Sequence, residues 1–394
     1  MNKVRRMARW QLIVLVSIVA VVVAGCANVR QGVAWPDLEL VTINEQSRVL
    51  VTYNDRIVAI DPYQGGQIHV ARDADGEIIR NSEGEIVEWN IELKIGGNNQ
   101  TFYVSPFRVD DTFVFPTYDN RFIEIDVQTA DVLSEDGIPL TDGVIADVVL
   151  SDDLIFVPYR SRDIVALDRE TYQEVWRFET EDGVWAAPLL VNDTLYVTSI
   201  NHNLFALNAA TGTPIWDAPV DLEGAIASTP LLYNDFLYIG SYSHKLYKIS
   251  LTGQIVAEYE GDNWIWGTPV ILDDTVYYTD LNGYVYALNA TDLSEIWVER
   301  PAPRGIRPAP LVTEDFVVVA SRNGVVYWLD RELGTTVQEF EVDGTPELLS
   351  DILYLPADEE LGHPELMLIA STDAKRLVTA FNMETFSPQW VYQQ

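Results

Sequence analysis

Few side chains in this sequence have the type and spacing that chemistry at a site requires. Cys26 is the one cysteine, so no disulfide can form within the chain. The chain has four histidines, and no two of them have the spacing of metal ligands. His202 and His244 occupy a turn position that glycine fills in other copies of a repeat, His69 lies in a strand segment, and His363 lies in an acidic insertion. We therefore expect no catalytic residue, no bound metal and no cofactor.

Cys26 ends a segment that is typical of export signals. The first nine residues carry four basic side chains and no acidic one, and residues 12–25 are apolar except for Ser17. This layout predicts a secretory signal, and the apolar run is short for a membrane span. Val23-Ala24-Gly25-Cys26 resembles the lipobox of bacterial lipoproteins. The resemblance implies cleavage before Cys26 and attachment of acyl chains there; an uncleaved anchor or an ordinary cleaved signal is the alternative.

The charge of the chain excludes several kinds of partner. Acidic residues number 60 and basic residues 25, giving a net charge of −35. Nucleic acid binding is not expected, because phosphates require lysine and arginine. Broad contact with anionic lipid headgroups is unfavourable for the same reason. A surface this acidic favours solubility and basic partners.

A unit of about 40 residues recurs along the chain. Its clearest mark is a turn that ends in aspartate and precedes an apolar run. These aspartates are Asp111, Asp153, Asp193, Asp235, Asp274 and Asp315. The turn at Asp111 opens a weaker copy at 112–133; with another weaker copy at 48–70 and a last copy at 366–390, the total is eight. The simplest interpretation of the acids is turn chemistry, and the alternative is that they form an acidic docking face for a basic partner.

Each unit predicts four short strands rich in valine, isoleucine, tyrosine and phenylalanine. The middle strands are almost continuously apolar, which indicates a sheet covered on both faces. Such a sheet must stack on copies of itself, and radial stacking protects its edges. The sequence therefore predicts an all-β protein, an eight-bladed β-propeller of four-stranded antiparallel blades. Asn282-Gly283 and Asn323-Gly324 predict two-residue type I′ hairpins between strands.

The predicted organisation has three parts. Residues 1–25 form the signal peptide, 26–36 a lipidated tether, and 37–394 a monomeric propeller with insertions near 72–100 and 350–365. The second insertion should project as an acidic loop between the first two strands of the last blade. The chain ends on a last-strand segment, so the ring closes either by side-chain packing or with a strand from 28–34.

The ends of the blades resemble the repeat of the quinoprotein alcohol dehydrogenases. The match is best at Ala206–Trp216, good at Ala166–Trp176 and Ala287–Trp297, and partial at Ala59–His69. The resemblance implies that a tryptophan docks each blade on its neighbour. The tryptophans to which this role is assigned are Trp176, Trp216, Trp297 and Trp390.

Together with the lipobox, the repeat is similar to that of the PQQ-like propeller lipoproteins, which include an accessory lipoprotein of the outer-membrane β-barrel assembly machinery. The resemblance implies a non-catalytic scaffold that binds envelope proteins through loops on one face and holds no quinone. It would be anchored outside the cytoplasm, on the cytoplasmic membrane or on the periplasmic leaflet of an outer membrane.

Two alternatives come from other functional classes. One is a PQQ-dependent dehydrogenase, although the chain lacks the adjacent cysteine pair found in many of those enzymes and no local match to their calcium site is visible. The other is a surface receptor for a saccharide or peptide. Trp185 and Trp266 are relevant to the receptor alternative, because they precede first strands and could line the mouth of the ring.

Overall fold

A computed structural model describes residues 35–43, 46–66, 78, 80, 84, 89–95, 97–358 and 360–394. Cys26, His69 and residues 1–34 lie outside these ranges. The predicted fold is confirmed: eight four-stranded antiparallel sheets form the eight blades of a propeller, each from strands consecutive in sequence. Among the described residues the helical structure is a 3₁₀ turn at Ala374–Arg376, and no helix is long and apolar enough to cross a membrane.

The first four blades have the following strands. Blade 1 contains β1 (Asp37–Ile43), β2 (Gln46–Tyr53), β3 (Arg56–Ile60) and β4 (Asn90–Glu92); a small hairpin, β5 (Lys94–Ile95) and β6 (Asn98–Asn99), follows it. Blade 2 contains β7 (Phe107–Val109), β8 (Thr112–Pro116), β9 (Arg121–Asp126) and β10 (Ile138–Pro139). Blade 3 contains β11 (Val149–Leu150), β12 (Leu154–Pro158), β13 (Asp163–Asp168) and β14 (Glu174–Glu179). Blade 4 contains β15 (Leu189–Val191), β16 (Thr194–Thr198), β17 (Asn203–Asn208) and β18 (Val220–Asp221).

The last four blades repeat the pattern. Blade 5 contains β19 (Leu231–Tyr233), β20 (Phe236–Gly240), β21 (Lys245–Ser250) and β22 (Ile255–Glu260). Blade 6 contains β23 (Val270–Leu272), β24 (Thr275–Thr279), β25 (Val285–Asn289) and β26 (Glu295–Glu299). Blade 7 contains β27 (Leu311–Val312), β28 (Phe316–Ala320), β29 (Val325–Asp330) and β30 (Thr336–Glu341). Blade 8 contains β31 (Leu353–Leu355), β32 (Leu366–Ala370), β33 (Val378–Asn382) and β34 (Ser387–Tyr392).

The core lies between blades. The second and third strands of each blade are buried over nearly their whole length, as β16 and β17 illustrate. The described residues form eight buried hydrophobic clusters, and each joins side chains of two neighbouring blades. The predicted cause of the continuous apolar pattern is therefore confirmed: each sheet buries both faces against its neighbours.

The hairpin loops between second and third strands differ from the prediction. Asp280 N–H donates to Tyr284 O at 3.1 Å, and Gly283 alone in this loop has a positive φ, 91°. A type I′ turn needs positive φ at both central residues, so the two-residue assignment for Asn282-Gly283 is wrong. The same correction applies to Asn323-Gly324, where Ser321 N–H donates to Val325 O. These are three-residue loops that end in a left-handed residue.

The positions of the two turn histidines are confirmed. His202 has φ 68° and His244 has φ 70°, so both occupy the left-handed slot that Gly283 fills in blade 6. These two positions therefore share a left-handed backbone conformation, which glycine adopts most easily.

The first insertion interrupts blade 1 instead of following it. The predicted end of this blade at residue 70 is wrong, because the fourth strand is β4, with Ile91 opposite Ile57. The second insertion lies between β31 and β32, as predicted, but its predicted start near residue 350 is wrong, because β31 itself lies inside the predicted range. It folds back onto blade 1, where His363 stacks on Tyr63 with ring centroids 3.7 Å apart.

Side-chain packing closes the ring between blades 8 and 1. Each of these blades contains only its own four strands among the described residues. One buried cluster joins β2 and β3 to β32 and β33, and Tyr53 Oη donates to Thr372 O at 3.2 Å. The segment 28–34, considered as a closing strand, lies outside the described residues.

Candidate functional site

The chain enters every blade beside the central axis, and the residues before each first strand line a funnel. We call the loops between second and third strands, with the links between blades, the funnel face; the opposite side is the turn face. The mouth of the funnel carries one side chain from each blade: Trp35, Tyr103, Ile145, Trp185, Ala227, Trp266, Arg307 and Leu349. Together with the residues that follow them, they enclose a cavity of about 140 Å³.

Arg307 lies between two tryptophans at the mouth. Its guanidinium carbon is 3.7 Å from the ring centroid of Trp35 and 4.3 Å from that of Trp266. The aromatic contacts continue on one side, where the ring centroids of Trp35 and Tyr103 are 4.6 Å apart. Stacking of this kind fixes the plane of the guanidinium and leaves its N–H edge free to donate hydrogen bonds.

The guanidinium of Arg307 has a polar atom without a hydrogen-bond partner in the described part of the chain. Its Nε atom is buried and has no hydrogen-bond partner among the described residues, and no ion pair in the described ranges includes it. Burial lowers the pKa of this guanidinium to about 10. A buried donor without an acceptor is costly, so the position calls for an explanation.

Three carboxylates lie deeper in the funnel, each two residues after a mouth residue. Burial, and next the charge of Asp147, raises the pKa of Asp37 to about 7. Burial, and next the charge of Asp351, raises the pKa of Asp147 to about 6. Burial also raises the pKa of Asp351, which Arg307 partly offsets. By accessible area Asp147 and Asp351 are exposed, and both line the funnel cavity.

The hydrogen bonds to these carboxylates come from neutral donors. Ser105 Oγ donates to Asp37 Oδ2 at 2.8 Å, and Leu38 N–H donates to the other oxygen at 3.0 Å. Ala309 N–H donates to Asp351 Oδ1 at 2.8 Å. Within the described part of the chain, no group of three or more histidine, cysteine, aspartate or glutamate side chains is arranged to hold a metal ion.

The sequence contained a signal for this site that was missed. In five blades the position now occupied by Asp37, Asp147 and Asp351 holds a small residue or serine followed by proline, as in Ala187-Pro188. The three blades without that proline have aspartate instead. Trp185 and Trp266 lie at the funnel mouth, and Trp185 is 41% exposed while its Nε1 donates to Arg160 O at 3.1 Å.

The four tryptophans assigned to docking all face a glycine of the next blade. Trp176 Nε1 donates to Ala209 O at 2.9 Å, and a Cβ on Gly212 would lie 2.5 Å from the Trp176 ring. Trp216 faces Gly253 and Trp297 faces Gly334 in the same way, and Trp390 faces Gly65 across the closure of the ring.

A fifth tryptophan, Trp89, occupies the equivalent place in blade 1 and was not predicted. Its carbonyl accepts the Ala59 N–H at 3.1 Å, just as Trp176 lies opposite Ala166. The side chain is buried against Phe113 of blade 2. The insertion had moved Trp89 far from the repeat to which it belongs, so the motif spacing could not reveal it.

The six acidic turns lie on the turn face, away from the funnel. Asp111, Asp153, Asp193, Asp235, Asp274 and Asp315 are all exposed. The carbonyl of Asp193 accepts the N–H of Ala209 at 2.9 Å, and that of Asp153 accepts the N–H of Arg169, so these residues also connect two turns of one blade. Asp111 pairs with Arg108 at 3.6 Å, and Asp274 accepts from Tyr233 Oη at 2.6 Å.

The repeat, the blade count and the docking tryptophans can be compared with known proteins. The family model described as outer membrane protein assembly factor BamB matches residues 131–340, more than half of the chain. The chain belongs to this family. The matched range runs from the end of blade 2 to the last strand of blade 7, so it covers the most regular copies of the repeat.

Two solved structures share the fold. BamB from Moraxella catarrhalis is 21% identical with a TM-score of 0.60, covering 87% of this chain and 97% of that one. A computationally designed protein, Ika8, is 15% identical with a TM-score of 0.64, covering 90% and 98%. No curated protein matches this chain. At these identities the BamB structure and the designed protein show the same architecture and nothing finer.

Proposed function

We propose that this BamB-family chain is a lipid-anchored envelope protein that acts as a non-catalytic, protein-binding scaffold in the assembly of outer-membrane proteins. The observation that carries the proposal is the family match over residues 131–340. A propeller alone would not support it, because this architecture hosts many unrelated activities.

The funnel face is the surface we assign to the partner. It exposes Trp185 and Trp264, which are 41% and 47% accessible, and Tyr118 beside the guanidinium of Arg160 at 4.1 Å. Tryptophan, tyrosine and arginine dominate the binding energy of protein interfaces. The ring of Trp264 stacks on Tyr242 with centroids 4.9 Å apart, so it is presented in a fixed orientation.

Replacing the exposed tryptophans tests this surface. Trp185→Ser together with Trp264→Ser should abolish the capture of envelope proteins by cross-linking in intact membranes and reduce the assembled amount of outer-membrane proteins. Leu333→Ser is the matched control, because Leu333 is 66% exposed on the turn face. Unchanged capture with the tryptophan variants, or equal loss with the control, would reject the funnel face as the docking surface.

The lipid anchor is the second part of the proposal. Acyl chains on Cys26 would hold the propeller near its membrane, since the segment from Cys26 to Trp35 spans at most roughly 30 Å. Changing Cys26 to serine should release the protein into the soluble extracytoplasmic fraction and abolish labelling with a fatty-acid analogue. Labelling that persists in the serine variant would show that the anchor lies elsewhere.

A second surface is the acidic turn face. The six exposed turn carboxylates favour a basic partner, which long-range charge attraction would steer. Replacing Asp153, Asp193 and Asp235 by asparagine keeps the turn chemistry and removes three charges. If this face docks the partner, association should slow and lose its dependence on salt. Unchanged capture would leave these residues with their structural role alone.

The size of the funnel supports a scaffold over a quinone enzyme. A cavity of about 140 Å³ is close to the cavity of roughly 150 Å³ that holds benzene. A tricyclic quinone such as PQQ is several times larger than benzene. Adding PQQ and calcium to the purified protein should therefore produce neither a bound chromophore nor dehydrogenase activity, and either result would favour the enzyme.

A further inference from the structure

The funnel contains charged groups of both signs that the protein does not pair with each other. The Nε atom of Arg307 has no hydrogen-bond partner among the described residues. Asp37, Asp147 and Asp351 have no cationic side chain within 4.0 Å in the described part of the chain. Arg307 and Asp351 influence each other's pKa, so they are near, yet they are too far apart for an ion pair. A space between two unpaired opposite charges is suited to a ligand that carries both.

The charge balance of the funnel narrows the class of ligand. A simple anion would satisfy Arg307 but would be repelled by the carboxylates around it. A simple cation would satisfy a carboxylate but would leave the guanidinium unpaired and repelled. A zwitterion adds no net charge to the funnel and supplies an anionic partner for the guanidinium and a cationic partner for the carboxylates. Trp35 and Trp266 add aromatic faces, which attract ammonium groups.

The volume sets the size of the ligand. Since a cavity of roughly 150 Å³ holds benzene, about 140 Å³ accommodates a molecule of roughly six non-hydrogen atoms. Alanine has that size, glycine is smaller, and serine is only slightly larger. Aromatic amino acids exceed the space.

We propose that the funnel binds a small α-amino acid zwitterion, with its carboxylate on Arg307 and its ammonium group on Asp351 and Asp37. The stacked guanidinium presents an N–H edge that fits a carboxylate with two parallel hydrogen bonds. The fixed neutral donors on Asp37 and Asp351 leave other lone pairs of these carboxylates available to ammonium protons.

Thermal shift and calorimetric titration of the purified protein test the proposal. L-alanine and glycine should raise the melting temperature in a concentration-dependent way. Acetate and methylammonium, each with one of the two charges, should raise it much less at equal ionic strength. No heat and no shift with alanine and glycine would overturn the proposal, and so would equal shifts with the two single-charge probes.

Variants locate the binding site. Arg307→Gln should weaken alanine binding by roughly tenfold or more, because it removes a charged hydrogen-bonding partner. Arg304→Gln is the matched control, since Arg304 is an exposed arginine three residues away, and it should leave the affinity unchanged. Equal weakening by both variants would contradict the assignment. If Arg307→Gln does not fold, Arg307→Lys keeps the charge without the planar pair of donors and should also weaken binding.

The proposal and the scaffold function fail separately. Amino acid binding is measured on the isolated protein, whereas partner capture is measured in membranes with variants of Trp185 and Trp264. A protein that binds no amino acid could still capture its partner, and the reverse also holds.

Discussion

The interfaces between blades fill the same space in two different ways, and exchanging them makes a sharp test. Between blades 3 and 4, the large Trp176 lies against Gly212. Between blades 5 and 6, the last strand has the small Ala257, and the turn of the next blade has the buried Leu293 with φ 58°. The double change Trp176→Ala with Gly212→Leu would convert the first arrangement into the second.

The magnitudes follow from the contacts. Trp176→Ala alone removes a buried indole and should lower the free energy of unfolding by about 3–5 kcal/mol. Gly212→Leu alone brings a Cβ to 2.5 Å from the indole ring in a left-handed backbone, which costs about 1–2 kcal/mol for the backbone and about 1–3 kcal/mol for overpacking. In the double variant the leucine fills the space left by the indole. We therefore expect the double variant to lose less free energy of unfolding than the two single variants lose together, by at least about 2 kcal/mol.

Recovery should remain incomplete for a stated reason. Trp176 Nε1 donates to the Ala209 carbonyl, and the double variant leaves that carbonyl unpaired. At the natural small–large interface, Lys248 Nζ donates to the equivalent carbonyl of Ala290 at 2.9 Å. Urea titrations of the four proteins measure the cycle. Strict additivity of the two single changes would refute the idea that the blades are matched by complementary volume.

Three further predictions concern stability, each measured by urea titration. Burial raises the pKa of Asp37 to about 7, so the folded state holds that proton more tightly than the unfolded state does. The free energy of unfolding therefore falls as pH rises from about 4 to about 7. Asp37→Asn should be more stable than the parent near pH 8, by no more than about 4 kcal/mol, with no gain near pH 4. A gain of the same size at both pH values would show that the charge is not its cause. Trp89→Ala should lower the free energy of unfolding by about 3–5 kcal/mol, because Trp89 is buried. The exposed control Trp264→Ala should lower it by less than about 1 kcal/mol. Similar losses in the two variants would reject the docking role of Trp89. Lys248→Met should cost about 2–3 kcal/mol, because it leaves the buried carbonyl of Ala290 and the partly buried carbonyl of Thr291 without their charged donor. The exposed Lys94→Met should be neutral, and no loss for Lys248→Met would mean that water replaces the ammonium group.

The propeller itself was predictable because its signal is repeated. Eight copies of one apolar pattern indicate sheets that bury both faces, and the eight interblade clusters are the physical counterpart of that pattern. Turn types were less predictable. Asn282-Gly283 fits a two-residue loop by composition, but the added residue Leu281 lets a single left-handed residue close a three-residue loop, which the sequence does not distinguish.

The funnel was only partly predictable, because its residues are neighbours in space and not in sequence. Trp185 and Trp266 were recognisable from their place before first strands. Arg307, Asp147 and Asp351 are contributed by different blades, and each looks unremarkable in its own repeat. Only the ring brings them together, so their shared burial and unpaired charges become visible with the coordinates.

Since the four strands of each blade are consecutive in sequence, a circularly permuted protein whose ends fall at another blade boundary would retain every hydrogen-bonded ladder. The same feature creates a hazard during folding. The apolar outer face of blade 1 cannot be covered until blade 8, which carries Trp390 and Tyr392, has folded against it. Until that moment an otherwise finished molecule presents two uncovered apolar flanks, which makes its final stage of folding the one most prone to aggregation.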